Sequence, residues 1–230
     1  MNPGNHHAVQ MGDIVEERWN LESGRIDEGT FTLDQLLARR QFQQLLHDPD
    51  PNPIFTRLGE RRLKNVDPEE LIRILDCFNR LFFPGAVMDF EFRWLSNPNT
   101  LGNSIRSLTP NGGRLIVKIG LNDYHHSYPL EYLPLNQRAM SRLNTLLHEV
   151  VHAYFQAYSC RQCQASLSAV EDTKGHGRAW QRVAALVERA ASCVLGLPFK
   201  TNGFKAIWVH WSDLKYWPTR EELEDWNMDG

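Results

Sequence analysis

Two histidines and a glutamate stand inside the apolar run LLHEVVHAYF, residues 146 to 155. Burial penalises such groups unless a partner binds them. On a helix, residues four apart lie on one face with Cβ atoms about 5 to 6 Å apart. His148 and His152 can therefore direct two imidazole nitrogens at one metal ion. We expect that metal to be zinc, because zinc binds neutral imidazole.

Glu149 follows His148 directly and is rotated from it by about 100° around the helix axis. It therefore flanks such a metal without having to ligate it. In that place a carboxylate can take a proton from a water molecule that the metal has made acidic. The H-E-x-x-H pattern is a known signature of zinc metalloproteases. The spacing predicts a catalytic zinc site with Glu149 as the general base.

A third ligand is needed, because catalytic zinc normally has three protein ligands and one water. His176 in TKGHGRAW is one candidate: glycines on both sides allow close backbone approach, and a helix follows at once. Glu171 and Asp172 also follow the second histidine and are the alternative. From the residues alone both stay open. Trp180, one turn after His176, either walls the metal pocket or packs between the helices.

Cys160 and Cys163 form a C-x-x-C pair between the zinc helix and His176. We expect ordinary reduced thiols there, with half of a structural zinc site or a redox pair as the alternative. Cys77 and Cys193 stand singly in helical patterns and are expected to be small core residues. Four cysteines are too few for a disulfide scaffold, which favours a reducing, intracellular location.

Composition sets wider limits on the chain. Its 230 residues, 42% hydrophobic with a net charge of -3, allow one sizeable domain with extensions or two small ones. No segment has the pattern of a signal peptide or a membrane span, so we expect no membrane partner. The charge balance gives no general attraction to nucleic acid. Five arginines form either a local basic rim for DNA or a solvated face: Arg138, Arg142, Arg161, Arg178 and Arg182.

The first half of the chain predicts two helices. The first thirty residues are polar without sustained periodicity, which predicts a mobile tail. Thr32 and Gln35 then stand in capping-box positions before an amphipathic helix, which the prolines of DPDPNP end at residues 48 to 53. Asp67 and Pro68 begin the next helix. The expected core positions of the first helix are Leu36, Leu37, Phe42, Leu45 and Leu46.

The remaining elements place the motif between a sheet and a last long helix. AVMDFEFRW, residues 86 to 94, and RLIVKIGL, residues 114 to 121, are strand candidates that we expect to share a sheet. The motif helix follows, and the last long helix runs from about Gly177 to Leu195. Thr219 and Glu222 predict a capping box for a short helix that holds Trp226.

The run from Leu71 to Ser212 resembles the SprT-like metalloprotease domain, the catalytic domain of the Spartan family. CFNRLFFPGAV resembles that family's helix-to-strand transition, FEFRW its first strand, NGGRLIVKIGL its glycine-led next strand, and NTLLHEVVHAYF its zinc helix. GHGRAW resembles its Gly-His-Gly element. The resemblance implies an α+β, zincin-like fold with helices packed on a short β-sheet. With the proline run at residues 48 to 53 as the boundary, we expect the protease domain at residues 54–212, after an extension at 1–53 and before an acidic segment at 213–230.

The resemblance implies that His148, His152 and His176 bind Zn2+ and that Glu149 is the catalytic base. It implies a zinc metalloendopeptidase that hydrolyses peptide bonds through a zinc-bound water, with protein substrates that include DNA-bound or DNA-crosslinked proteins. We expect a divergent member without the family's C-terminal zinc-binding module, because no C-x-x-C pair follows FKAIWVHWSDLKYW. The alternatives are a DNA-independent intracellular protease and a non-catalytic zincin-like binding module. Of nucleus and cytoplasm, the resemblance favours the nucleus.

Overall fold

The structure is a computed structural model, and it describes residues 8–19, 29, 31–47, 52–63, 65–83, 86, 88–97, 99–108, 115–124, 132–160, 175–211, 217–226 and 228. The described helices are α1 (Ala8–Arg18), α2 (Leu33–His47), α3 (Ile54–Leu58), α4 (Pro68–Phe82), α5 (Leu135–Tyr158), α6 (Arg178–Leu195), α7 (Gly203–Trp211) and α8 (Arg220–Asp225). The strands are β1 (Asp89–Leu95), β2 (Gly102–Leu108) and β3 (Leu115–Asn122). Within these ranges no helix is long and apolar enough to cross a membrane.

The chain divides into two compact units. The central unit is Asp27–Ala153 and contains α2 to α4, the three strands and most of α5. The terminal unit joins Met1–Ile26 to Tyr154–Gly230 and contains α1, the end of α5 and α6 to α8. The sequence-based domain boundaries at residues 53 and 212 stay a prediction.

A three-stranded mixed sheet lies in the central unit, in the order β1-β3-β2. β1 runs parallel to β3, and β2 runs antiparallel to it. The two predicted strands therefore share a sheet, as expected, while β2 was not predicted. One face of β3 is buried, with the side chains of Val117, Ile119 and Leu121 at most 2% exposed. The class is α+β, with helices packed on a small sheet.

The start of α2 has the capping box that its sequence predicts. The Thr32 N–H donates to Gln35 Oε1 over 3.1 Å, and the Gln35 N–H donates to Thr32 Oγ1 over 3.2 Å. Gln35 also faces the interior of the central unit, where its Nε2 donates to the Leu81 carbonyl over 2.9 Å. A residue that caps the helix therefore also joins α2 to α4.

The buried face of α2 is rotated from the predicted one. Phe42 and Leu46 are buried as expected, together with Ala38. Leu36 and Leu37 were predicted to lie in the core and are instead 40% and 47% exposed. The inward position of the capping glutamine turns these two leucines towards solvent, so this part of the prediction was wrong.

α4 has the predicted start and core face. Asp67 caps it: the Glu69 N–H donates to Asp67 Oδ1 over 3.0 Å, and the Asp67 N–H donates to Glu70 Oε2 over 3.2 Å. Pro68 is the first helical residue, where its missing N–H costs nothing. The apolar side chains at helical spacing are all buried: Leu71, Ile74, Leu75, Phe78, Leu81 and Phe82.

In the terminal unit, α1 packs on α6. Its buried side chains lie four residues apart: Met11, Val15 and Trp19. Arg182 of α6 forms ion pairs with Asp13 of α1, at 2.8 Å, and with Glu16. The prediction of a mobile tail was therefore wrong for residues 8–19, where a buried apolar stripe and two ion pairs fix the helix.

α6 and α8 agree with their predicted positions. α6 ends at Gly196, whose φ of +67° lies in the left-handed region that favours glycine. Thr219 and Glu222 form the expected capping box of α8. Trp226 then packs with Ala185 and Ile207 in the small core of the terminal unit.

Candidate metal centre

α5 carries His148, Glu149 and His152, as the motif predicts. Apolar side chains around the motif are buried, and their packing fixes the orientation of the motif. The two imidazoles are half-buried. The buried side chains are Leu143, Leu146, Leu147, Val150, Val151, Tyr154 and Phe155.

The two histidines of α5 are close enough to share one ion. Their Nε2 atoms lie 3.1 Å apart, and their ring centroids lie 4.8 Å apart. Two imidazole nitrogens, each 2.0 to 2.1 Å from one tetrahedral zinc ion, would lie about 3.3 Å apart. The spacing of the pair His148 and His152 therefore fits joint ligation without a change of helix geometry.

His176 is positioned by the glycines beside it and by the first turns of α6. Gly175 has a φ of +87°, a left-handed conformation that side chains rarely adopt, and Gly177 caps α6. The Gln181 Nε2 donates to the His176 carbonyl over 3.3 Å. The indole of Trp180 packs edge-on against the imidazole, with 4.7 Å between ring centroids. Trp180 is fully buried, so it supports His176 as part of the core.

One nitrogen from each of His148, His152 and His176 lies within 4.8 Å of the others. These three side chains are therefore close enough to bind a metal ion. Neutral imidazoles suit zinc and also copper, nickel and iron, so the donor set alone does not choose the metal. Glu171 and Asp172, the alternative third ligands, lie outside the described residues.

Glu149 is buried, with only 6% of its surface exposed. Burial raises the pKa of its carboxyl group to about 8, while a hydrogen bond from Ser104 acts in the lowering direction. Desolvation is the larger cause, since the charged form of a carboxyl loses water on burial. The carboxyl group is therefore a stronger base than an exposed glutamate.

Two residues of β2 that the sequence did not single out lie against Glu149. Ser104 provides the hydrogen bond, and Gly102 provides space. A Cβ atom on Gly102 would lie only 2.9 Å from Glu149 Oε1 and 2.5 Å from Thr145 Cγ2. The spacing of Gly102 and Ser104, two residues apart, could have predicted that both lie on one face of a strand. That prediction requires knowing that β2 is a strand, which the sequence did not indicate.

The arginines expected to form a basic rim are engaged within their own units. The pair on α5 donates to backbone carbonyls, mainly those of the segment 58–61, and Arg142 is only 1% exposed. The pair on α6 forms ion pairs with acidic side chains of α8 and α1. This does not favour a DNA-binding rim, and DNA as a partner stays a prediction. The described residues of the set are Arg138, Arg142, Arg178 and Arg182, and Arg161 lies outside them.

The cysteines divide into different environments. Cys160 follows α5 and is half-buried, whereas Cys163 lies outside the described residues, so a second metal or redox site at this pair stays a prediction. Cys77 is buried in α4, as expected, and burial raises the pKa of its thiol to about 12. Cys193 is exposed on α6, so its prediction as a core residue was wrong.

No protein-family model, curated protein or solved structure matches the chain. The resemblance to the SprT-like domain therefore stays a prediction from the sequence motifs. What the site can do must be inferred from its own residues, which are three clustered imidazoles and one buried carboxyl group.

Proposed function

We propose that the chain is a zinc metalloendopeptidase of SprT-like type that hydrolyses peptide bonds of protein substrates. The observation that carries this proposal is the clustering of three imidazole nitrogens within 4.8 Å, with the buried Glu149 next to one of them in sequence. A site that only stores a metal does not need a buried carboxyl group beside it. A hydrolytic site requires a base in that position.

His148, His152 and His176 would hold the metal ion. Three protein ligands leave one position of a tetrahedral ion open, which is the arrangement of catalytic rather than structural zinc sites. A bound zinc ion would supply Lewis acidity, which polarises a peptide carbonyl and makes a water molecule easier to deprotonate.

Glu149 would carry the proton during hydrolysis. Its carboxylate accepts a proton from the attacking water at one Oε atom and returns that proton to the nitrogen of the leaving amine. The apolar surroundings, which raise the pKa of the group to about 8, strengthen it as a base. A cation held by the neighbouring histidines favours the carboxylate form, because opposite charge nearby lowers a carboxyl pKa.

Two classes of substrate follow from different observations. Proteins bound or crosslinked to DNA follow from the family resemblance. Proteins cleaved without DNA are favoured by the engagement of the described arginines with carbonyls and carboxylates. The acidic C-terminal residues and the net charge of -3 point the same way, since neither attracts nucleic acid.

Zinc content tests the ligand set. We expect the purified protein to hold stoichiometric zinc by inductively coupled plasma mass spectrometry, and His176→Ala to hold less, because a ligand is lost. His47→Ala is the matched control, since His47 is exposed at the end of α2. Undiminished zinc in His176→Ala would point to Glu171 or Asp172 as the third ligand.

Cleavage of an unfolded basic protein, with and without single-stranded DNA, tests the chemistry. We expect Glu149→Gln to keep zinc and lose cleavage, whereas Glu17→Gln, at an exposed position of α1, behaves as wild type. Stimulation by DNA would favour substrates on DNA, and indifference to it would favour the second class. If zinc-loaded wild type cleaves neither the substrate nor its own chain, the protein would be a non-catalytic binding module instead of a protease.

A further inference from the structure

We propose that Ser104 is a positioning residue for Glu149, and that the inward face of β2 fixes where the carboxyl group of the general base lies. This inference rests on the proposed function and adds a residue that the H-E-x-x-H motif does not contain. The groups involved, on β2 and on the first part of α5, all belong to the central unit.

The register of the sheet places Gly102 and Ser104 on the face that meets α5. Residues two apart on a strand share a face, and residues paired across a ladder point to the same side. Gly102 pairs with Leu121 and Ser104 with Ile119, and both of these partners are buried. Ile105, the residue after Ser104, is 44% exposed on the opposite face.

Contact distances show how closely this face approaches the helix. A Cβ atom added to Gly102 would lie 2.5 Å from Thr145 Cγ2, 2.9 Å from Glu149 Oε1 and 3.0 Å from Glu149 Cγ. Thr145 and Glu149 are four residues apart, so they occupy adjacent turns on one side of α5. The backbone of β2 therefore packs on the turn of α5 that carries the base.

Ser104 forms a hydrogen bond with the Glu149 carboxyl group, in the sense that favours its charged form. A glutamate side chain has several rotatable bonds, and fixing them costs conformational entropy. The Glu149 side chain packs against Gly102, and its carboxyl group is hydrogen-bonded to Ser104. Both contacts restrict the rotation of the Glu149 side chain before substrate binds. Such restriction matters because a misplacement of about 1 Å at a reacting group can cost on the order of a hundredfold in rate.

Steady-state kinetics of zinc-loaded protein test the positioning role. Loss of a hydrogen bond to a charged group predicts that Ser104→Ala lowers kcat about tenfold, with KM and zinc content unchanged. Ser104→Thr keeps the hydroxyl and should retain most of kcat. Ser107→Ala is the matched control, because it makes the same substitution in β2 on the opposite face and should leave kcat unchanged.

A second measurement, on metal-free protein, does not depend on activity. We expect Ser104→Ala to lower the urea midpoint of unfolding when Glu149 is present. The same change should leave the midpoint unaltered in a Glu149→Met background, which has no carboxyl group to accept the bond. Equal shifts in the two backgrounds would show that Ser104 acts on something other than Glu149, and would overturn the inference.

The outcomes separate the inference from the proposed function. Active wild type whose kcat is unaffected by Ser104→Ala overturns the positioning role alone. A fall in kcat that Ser104→Thr does not rescue does the same, because it would show that the hydroxyl is not the cause. Wild type without zinc or cleavage refutes the proposed function and, with it, the positioning role of Ser104 in catalysis. The urea measurements on metal-free protein then report only whether Ser104 and Glu149 interact.

Discussion

Substituting Gly102 by alanine is a direct test of how closely β2 packs on α5. The new methyl carbon would lie 2.5 Å from Thr145 Cγ2, whereas non-bonded carbons prefer about 3.5 to 4.0 Å. Glu149 Oε1, at 2.9 Å, blocks a second direction. Both obstacles belong to a buried helix, so relief requires movement of the strand or of the base. Overpacking of this kind costs about 1 to 3 kcal/mol, and we expect about 2.

The Gly102→Ala substitution tests steric crowding between β2 and α5 without adding backbone strain. Gly102 lies in a strand and is not among the positive-φ glycines, so alanine fits its backbone and would otherwise stabilise it slightly. A loss of about 2 kcal/mol in a chain of this size lowers Tm by roughly 4 to 8 °C in differential scanning calorimetry. We also expect cleavage to fall, because the methyl group displaces the carboxyl group of Glu149.

Two further variants control this test. Gly12→Ala makes the same substitution in α1, where the new Cβ meets only the flexible end of the Arg182 side chain, at 3.2 Å, so Tm should stay or rise. Thr145→Ser removes the closest methyl group and keeps the hydroxyl that donates to the Ser141 carbonyl, so it should recover about half of the loss in Gly102→Ala. A Tm for Gly102→Ala equal to wild type would refute the close packing of β2 on α5.

Three other perturbations test the frame around the site. Arg142→Met should destabilise the chain by about 3 kcal/mol or more, because three backbone carbonyls lose a buried donor. Arg73→Met, on the exposed side of α4, is the control. Equal urea midpoints for the two variants would refute the role of Arg142 in stabilising these carbonyls. Glu70 accepts two bonds of 2.6 Å from Arg57, which lower its pKa below the ordinary 4.5. The stabilisation by ionised Glu70 is therefore complete above pH 4.5 and is lost as pH falls through the lowered pKa of Glu70. The urea midpoint of Glu70→Gln should fall less steeply with acid than that of wild type. Trp19→Ala should cost about 3 to 5 kcal/mol, and an unchanged midpoint would mean that α1 does not pack on α6.

The part of the site that could be predicted from sequence is the part that local rules determine. His148 and His152 share a helix, so a spacing of four residues was enough to bring their nitrogens together. The glycines around His176 predicted a close backbone approach with a helix directly after it, and the helix does begin at Arg178. In each case the information lies within a few residues of the side chain concerned.

What sequence reasoning missed depends on contacts between distant segments. GNSIRSL is polar and has little intrinsic strand preference, and it forms β2 because β3 offers it a ladder. Leu36 and Leu37 were assigned to the core from their helical spacing, but Gln35 takes an inward position and bonds to Leu81 of α4. α1 was different: Met11, Val15 and Trp19 do repeat every four residues, and this signal was overlooked in a polar segment.

The terminal unit joins two segments that are far apart in the sequence, and this governs its assembly on the ribosome. α1 emerges early, but α6, the surface that covers its apolar stripe, begins only at Arg178. At synthesis rates of about 5 to 20 residues per second, Met11, Val15 and Trp19 stay uncovered for roughly 8 to 30 seconds. During that interval the nascent chain presents an amphipathic helix without its partner, which is the kind of exposed segment that chaperones bind. The central unit is continuous from Asp27 to Ala153, so its segments are synthesised within a shorter interval.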